Sequence, residues 1–208
     1  MRPRTFVFFG DSVTQANRHR PEVGALGEGY VRIIADELAD VPAAPDVINL
    51  GIGGNRVRDL RARWGEVVAA RPDVLTILVG INDVWRHSDR DDYTPTDVFA
   101  DDFRSILDGA AASGGEVVLM EPFLLPVADG QQAWLPELRE KIDVVNELGV
   151  AYGAPVVPLH QLLNEAASEL GASELAPDGV HPSPLGHRLI AEAWLAEASA
   201  GFGGRRTG

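Results

Sequence analysis

Short apolar runs alternate along this chain with longer stretches in which apolar residues recur every three or four positions. The short runs predict strands at residues 6–9, 47–50, 74–79, 116–120 and 156–158. The first and third are continuously hydrophobic, as expected for strands covered by helices on both faces. Between the runs, Tyr30, Val31, Ile34 and Leu38 share one helical face, as do Val57, Leu60, Trp64 and Val67. Weaker helical patterns cover 95–112, 132–148 and 161–170. The last helix is the best marked. Ser183 suits its cap, Pro184 its first turn, and Leu185, Leu189, Ile190, Ala193 and Trp194 its apolar stripe.

Strand and helix in strict alternation predict βα units around a mostly parallel five-stranded sheet, an α/β/α sandwich. The 208 residues suit one domain over 1–200, and the glycine-rich segment 201–208 reads as a flexible tail. Within this layout Ser12, Gly54, Asn82 and Glu121 each follow a strand on the same side of the sheet. In open α/β folds that carboxyl-end rim is where sites form.

Charge and composition narrow the function. A formal net charge of −13 disfavours nonspecific attraction to nucleic acid or to an acidic membrane. Cysteine is absent, which excludes disulfides and thiolate chemistry or metal sites built on it. The apolar run near the start has four residues, too short for a signal-peptide core, and leads directly to Ser12. It reads as structure, and the expected location is the cytoplasm.

Two segments carry the candidate chemistry. Gly10-Asp11-Ser12 places a hydroxyl nucleophile directly after a strand. Asp178-Gly179-Val180-His181-Pro182 places a carboxylate three residues before an imidazole, in a turn. A serine hydroxyl needs a base to take its proton, and a carboxylate fixes the base's tautomer. Ser12, His181 and Asp178 can fill these roles if the fold joins the ends of the chain. An isolated Asp-x-x-His more often does no more than end a loop and cap a helix, so the intervening loops matter. Acyl transfer also needs donors aimed at the developing oxyanion. The backbone amides of Ser12 and Gly54 and the side-chain amide of Asn82 are the candidates. The glycines at 51, 53 and 54 do not form a dinucleotide loop, because the spacing places Arg56 where a third glycine is required. A Walker lysine is also missing, since the chain's only lysine is Lys141.

In order and position, Gly10-Asp11-Ser12, Gly54, Asn82 and Asp178-x-x-His181 resemble the four signature blocks of the SGNH (GDSL) hydrolase superfamily. The resemblance implies a flavodoxin-like fold, esterase activity, Ser12 as nucleophile and oxyanion donor, Gly54 and Asn82 as further donors, His181 as base and Asp178 as its partner. It requires no cofactor and no metal.

A narrower likeness lies in Ala25-Leu26-Gly27-x-Gly29-Tyr30-Val31, the run from Gly54 to Trp64, and Gly80-Ile81-Asn82-Asp83-Val84-Trp85-Arg86. These look like the branch holding intracellular bacterial acetylxylan esterases and imply an acetylated sugar or oligosaccharide as substrate. The chain departs from that branch after Ser12, where it reads Val13-Thr14-Gln15-Ala16-Asn17-Arg18, and at Gly179.

Five residues are expected to meet substrate: Asp11 beside the nucleophile, Trp85 and Arg86 after the Asn82 loop, Phe123 beyond the fourth strand, and Val180 in the triad turn. Arg86 has a competing role as an ion-pair partner of the acidic stretch 89–92, and Asp11 one in tying its loop together. A lipid-directed esterase with residues 123–125 as an acyl wall is the alternative, and a noncatalytic α/β binding protein is the second. Exposed aromatics and the family likeness leave room for a homo-oligomer.

Overall fold

The computed structural model describes residues 2–203, with side chains described through residue 198; Met1 and 204–208 lie outside the described residues. The first half of the chain runs β1 (Thr5–Gly10), α1 (Ser12–Gln15), α2 (Tyr30–Glu37), β2 (Asp46–Asn49), α3 (Val57–Ala62), α4 (Trp64–Ala70), β3 (Val74–Leu78) and α5 (Ile81–Arg90). The second half runs α6 (Thr96–Ser113), β4 (Glu116–Met120), a 3-10 turn at Gln131–Trp134, α7 (Leu135–Tyr152), β5 (Val156–Val157), α8 (Leu159–Leu170), α9 (Ala172–Leu175) and α10 (Pro184–Gly203).

The five strands form one parallel sheet in the order β2-β1-β3-β4-β5. This is the flavodoxin-like order, and its direction of winding reverses between β1 and β3. Ser12 follows β1 and Asn82 follows β3, so the candidate site straddles the crevice created by that reversal.

Side-chain alternation explains why β1 reads as an unbroken hydrophobic run. Phe6 and Phe8 pack on one face with Tyr30, Ile34, Ile190 and Trp194. Val7 and Phe9 pack on the other with Val57, Leu60, Phe99 and Phe103. Both faces are covered, so every position of the strand is apolar or small. Thr76 of β3 is the polar exception in mid-sheet. Its hydroxyl accepts the indole N–H of Trp194 at 3.0 Å, which satisfies the donor that this large side chain carries into the core.

Strand edges differ modestly from the periodicity. The fifth strand stops at Val157, and Pro158, which has no N–H to give a ladder, becomes the cap before α8. The helix expected over 132–148 is divided into the 3-10 turn and α7. The segment expected to be a tail from Gly201 is helical through Gly203, and its remainder falls outside the described residues. Among the described residues no helix is long and apolar enough to cross a membrane.

Candidate active site

The Ser12 corner begins where β1 ends. Asp11 caps the single turn of α1, its carboxylate accepting the Val13 N–H at 3.0 Å. This places Ser12 as the first residue of the turn, with its hydroxyl 2.9 Å from His181 Nε2 across 169 residues of sequence. His181 Nδ1 lies 2.6 Å from Asp178 Oδ2. The other oxygen, Oδ1, accepts the backbone N–H groups of His181 at 2.7 Å and Val180 at 2.9 Å.

Partial burial raises the Asp178 pKa, but the bonds from the His181 ring and from the two amides outweigh it, and the net shift is downward. The ionised carboxylate only accepts, so Nδ1 carries the ring proton and Nε2 is left to accept from Ser12. Gly179, with φ of +84°, makes the tight turn that allows both contacts. Behind it, Gln131 donates to the Asp178 carbonyl at 2.7 Å. Ser183 caps α10 by accepting the Gly186 N–H at 3.2 Å, which holds His181 just outside the helix.

The loop after β2 closes on Ser12. A Cβ at Gly53 would lie 3.7 Å from that of Ser12, and the Gly53 amide donates to Gln15 Oε1 at 3.0 Å. Gly54 has a φ of +79°. Among the described residues neither its amide nor that of Ser12 has a protein acceptor. The Asn82 side chain joins this loop by donating to the Asn55 carbonyl at 3.1 Å, which occupies one of its two N–H bonds. The three candidate donors therefore lie on loops that touch one another.

That loop is held by side chains that bond its backbone. Asn49 donates to the carbonyls of Thr14 at 2.7 Å and Leu26 at 2.9 Å and accepts the Gly51 N–H at 2.9 Å. Arg18 reaches the Gly51 carbonyl at 2.8 Å, and Arg63 the Leu50 carbonyl at 2.9 Å. Asp83, fully buried, accepts the Val57 N–H at 3.2 Å at the start of α3. Burial pushes the carboxyl groups of both Asp11 and Asp83 up to about 7, against the hydrogen bonds that favour their charged forms.

Of the five residues expected to meet substrate, three are placed elsewhere. Asp11 is 1% exposed and spends its carboxylate on the helix cap. Phe123 packs into the core against the α8–α10 side of the sheet. Val180 is buried with Val84, Leu124 and Leu138, beneath the Asp178–His181 turn rather than facing solvent. Trp85 does reach the site: its ring centroid is 6.0 Å from that of His181 and 5.7 Å from that of Trp134. Arg86 stacks on Trp85 and pairs with Asp89, the competing role considered from the sequence. It still passes near Gly54, where a Cβ would sit 3.9 Å from its guanidinium.

The opening beside Ser12 has a different lining. A cavity of about 440 Å³ is bounded by Ser12, His181, Gln15, Asn17, Glu28 and His187. The last four were not expected to meet substrate. His187 reads from the sequence as a structural residue of the last helix, and it is buried there, with Nδ1 accepting the Tyr30 N–H at 3.3 Å. Gln15 ends α1, and residues 16–28 form a connection with no apolar period, so no pattern marks them as neighbours of His181.

Comparison with known proteins gives the family of the chain. Residues 8–189 match the GDSL-like Lipase/Acylhydrolase family. An acetylxylan esterase of Geobacillus stearothermophilus is 36% identical, the alignment covering 92% of each chain. The crystal structure of Axe2, an acetylxylan esterase from that organism, superposes with a TM-score of 0.86 at 34% identity over 94% of each chain. LAE5, an α/β hydrolase enzyme from the metagenome of Lake Arreo, gives 0.87 at 27% identity over 96% of this chain and 97% of its own. The chain belongs to the GDSL-like lipase/acylhydrolase (SGNH) family and is a serine hydrolase of carboxylic esters.

Proposed function

We propose that this esterase removes acetyl groups from sugar hydroxyls, acting on acetylated xylo-oligosaccharides through an acyl-enzyme on Ser12. The observation that carries the mechanism is the pair of hydrogen bonds linking Ser12, His181 and Asp178, at 2.9 and 2.6 Å. His181 takes the hydroxyl proton as Ser12 attacks the ester carbonyl, and Asp178 stabilises the imidazolium. The amides of Ser12 and Gly54 and the free N–H of Asn82 receive the oxyanion. His181 then delivers its proton to the leaving alcohol. Water, activated by the same imidazole, releases acetate from Ser12.

The sugar-ester reading is supported by the similarity to acetylxylan esterase along nearly the whole chain and by the hydrogen-bonding side chains of Gln15, Asn17, Glu28 and His187 in the cavity wall. The lipid-directed alternative loses its acyl wall, because Phe123, Leu124 and Leu125 are 3%, 0% and 1% exposed. A noncatalytic binding protein would not need the contact between Ser12 and His181. The cytoplasmic placement is part of the same proposal.

The test is a paired assay on acetylated xylo-oligosaccharide and on p-nitrophenyl esters from acetyl to octanoyl, with Ser12→Ala as control. Acetyl preference, sugar-ester hydrolysis and loss of both activities in Ser12→Ala are expected. A preference for octanoyl overturns the carbohydrate reading, and an active Ser12→Ala overturns the mechanism.

A further inference from the structure

His181 must hand its proton to the leaving oxygen, so the alcohol half of the ester departs on the His181 side of Ser12. The oxyanion donors Gly54 and Asn82 define the other side, and neither lines the 440 Å³ cavity. Pro182 and Pro184, which follow His181, do line it. The cavity therefore lies where the alcohol must sit, at the small end of the usual range for ligand pockets.

Its wall is built. Ala16 and Asn17 both have positive φ, 39° and 61°, in a reversal directly after α1. Left-handed backbone is uncommon for residues other than glycine and is found where surrounding bonds enforce it. Here the Ala16 carbonyl accepts the Glu28 N–H at 2.9 Å, and the Asn17 side chain donates to Glu28 Oε1. The two contacts set Asn17 and Glu28 side by side at the cavity edge. Glu28 Oε2 and Asn17 Oδ1 are then available as acceptors.

His187 supplies the complementary donor. Its Nδ1 accepts a backbone N–H, so the neutral ring carries its proton on Nε2. Among the described residues Nε2 has no protein partner, yet it is not one of the atoms sealed from solvent without one. The residue is 8% exposed and lines the cavity, so its unsealed N–H is open to an occupant there. Burial pushes the His187 pKa down to about 4, against the attraction of Glu28, so the ring stays neutral at physiological pH.

We infer that this cavity holds the leaving alcohol of the ester and that Glu28, Asn17 and His187 select a neutral, polyhydroxylated ring there. A sugar hydroxyl both donates and accepts, and it matches adjacent carboxylate, amide and imidazole N–H groups. An aliphatic alcohol leaves those groups unpaired, and an anionic headgroup meets the Glu28 carboxylate in a chain of net charge −13.

The inference rests on Ser12 and His181 acting as proposed, and its test separates the two. The measurement is kcat/KM on acetylated xylobiose divided by kcat/KM on p-nitrophenyl acetate, whose aromatic leaving group makes no hydroxyl contacts. In Glu28→Ala and in His187→Phe this ratio should fall tenfold or more, chiefly through KM on the sugar ester. A ratio within twofold of the parent in Glu28→Ala overturns the inference while leaving the catalytic reading standing. Glu28 is exposed, so its replacement answers the question even if the buried His187 variant folds poorly. Full activity of Ser12→Ala on both substrates would instead remove the catalytic reading itself.

Discussion

Asp178 holds His181 by both of its carboxylate oxygens, Oδ2 facing the ring Nδ1 at 2.6 Å and Oδ1 accepting the backbone N–H of the same residue at 2.7 Å. Oδ1 also takes the Val180 N–H, so the orientation of the carboxylate is set by two amides. The consequence is sharpest for Asp178→Asn. The two backbone donors require the amide oxygen at the Oδ1 position, which turns the new NH2 toward Nδ1. Nδ1 must then accept, the ring proton moves to Nε2, and His181 can no longer receive a proton from Ser12. Turnover of p-nitrophenyl acetate should fall by about 10³–10⁴ with the fold intact. A loss of less than tenfold would contradict this chain of bonds.

Asn82 offers a different signature. One of its N–H bonds is committed to the Asn55 carbonyl and the other is proposed for the oxyanion. Asn82→Ala should lower kcat by about 10²–10³, with little change in KM, because the donor is used mainly in the transition state. Steady-state kinetics decide it. A large rise in KM at unchanged kcat would assign Asn82 to substrate binding instead.

Gly51 is needed for close approach. A Cβ there would fall 2.3 Å from the Gln15 nitrogen and 2.6 Å from the Thr14 carbonyl carbon, both backbone atoms with little freedom to move. Gly51→Ala should therefore push the loop carrying Gly53 and Gly54 away from α1. The expected cost is about 1–3 kcal/mol of stability, accompanied by lost activity. Thermal unfolding and an ester assay measure the two together, and an unaffected protein would show that the loops are not in contact.

His187 makes stability depend on pH. Its folded pKa of about 4 lies below its ordinary 6.5. Between those values the unfolded chain binds a proton that the folded protein refuses, so stability rises with pH in that window and is lost as pH falls. The full effect is about 3 kcal/mol. Asp11 and Asp83, both raised to about 7, act in the opposite direction, but they are shared by parent and variant. The unfolding free energy of the parent minus that of His187→Phe should therefore shrink steadily from pH 7 to pH 4.5. Denaturant titrations at several pH values test this, and a difference independent of pH would refute it.

Much of this protein was legible before folding because the features concerned are local or periodic. Alternating burial on two faces makes the strand at β1 apolar throughout, and Ser183 followed by Pro184 marks where α10 begins. Ser12, the Asp178–His181 turn, Gly54 and Asn82 were marked by short motifs on the ends of strands and before the last helix. The less local expectations fared worse. Phe123 and Val180 leave the rim of the sheet in sequence, but their side chains turn into the core, and Asp11 spends its carboxylate on a cap.

The sequence by itself determined the βα alternation, the residue types of an acyl-transfer site and their order along the chain, since periodicity and motif spacing are properties of neighbouring residues. Only the tertiary structure decided that Ser12 and His181 meet at 2.9 Å across 169 positions, and that Asn17, Glu28 and His187 share one cavity. Those relationships depend on where the sheet reverses its winding and on which carbonyls happen to face an irregular loop. A connection without apolar period carries no local record of either.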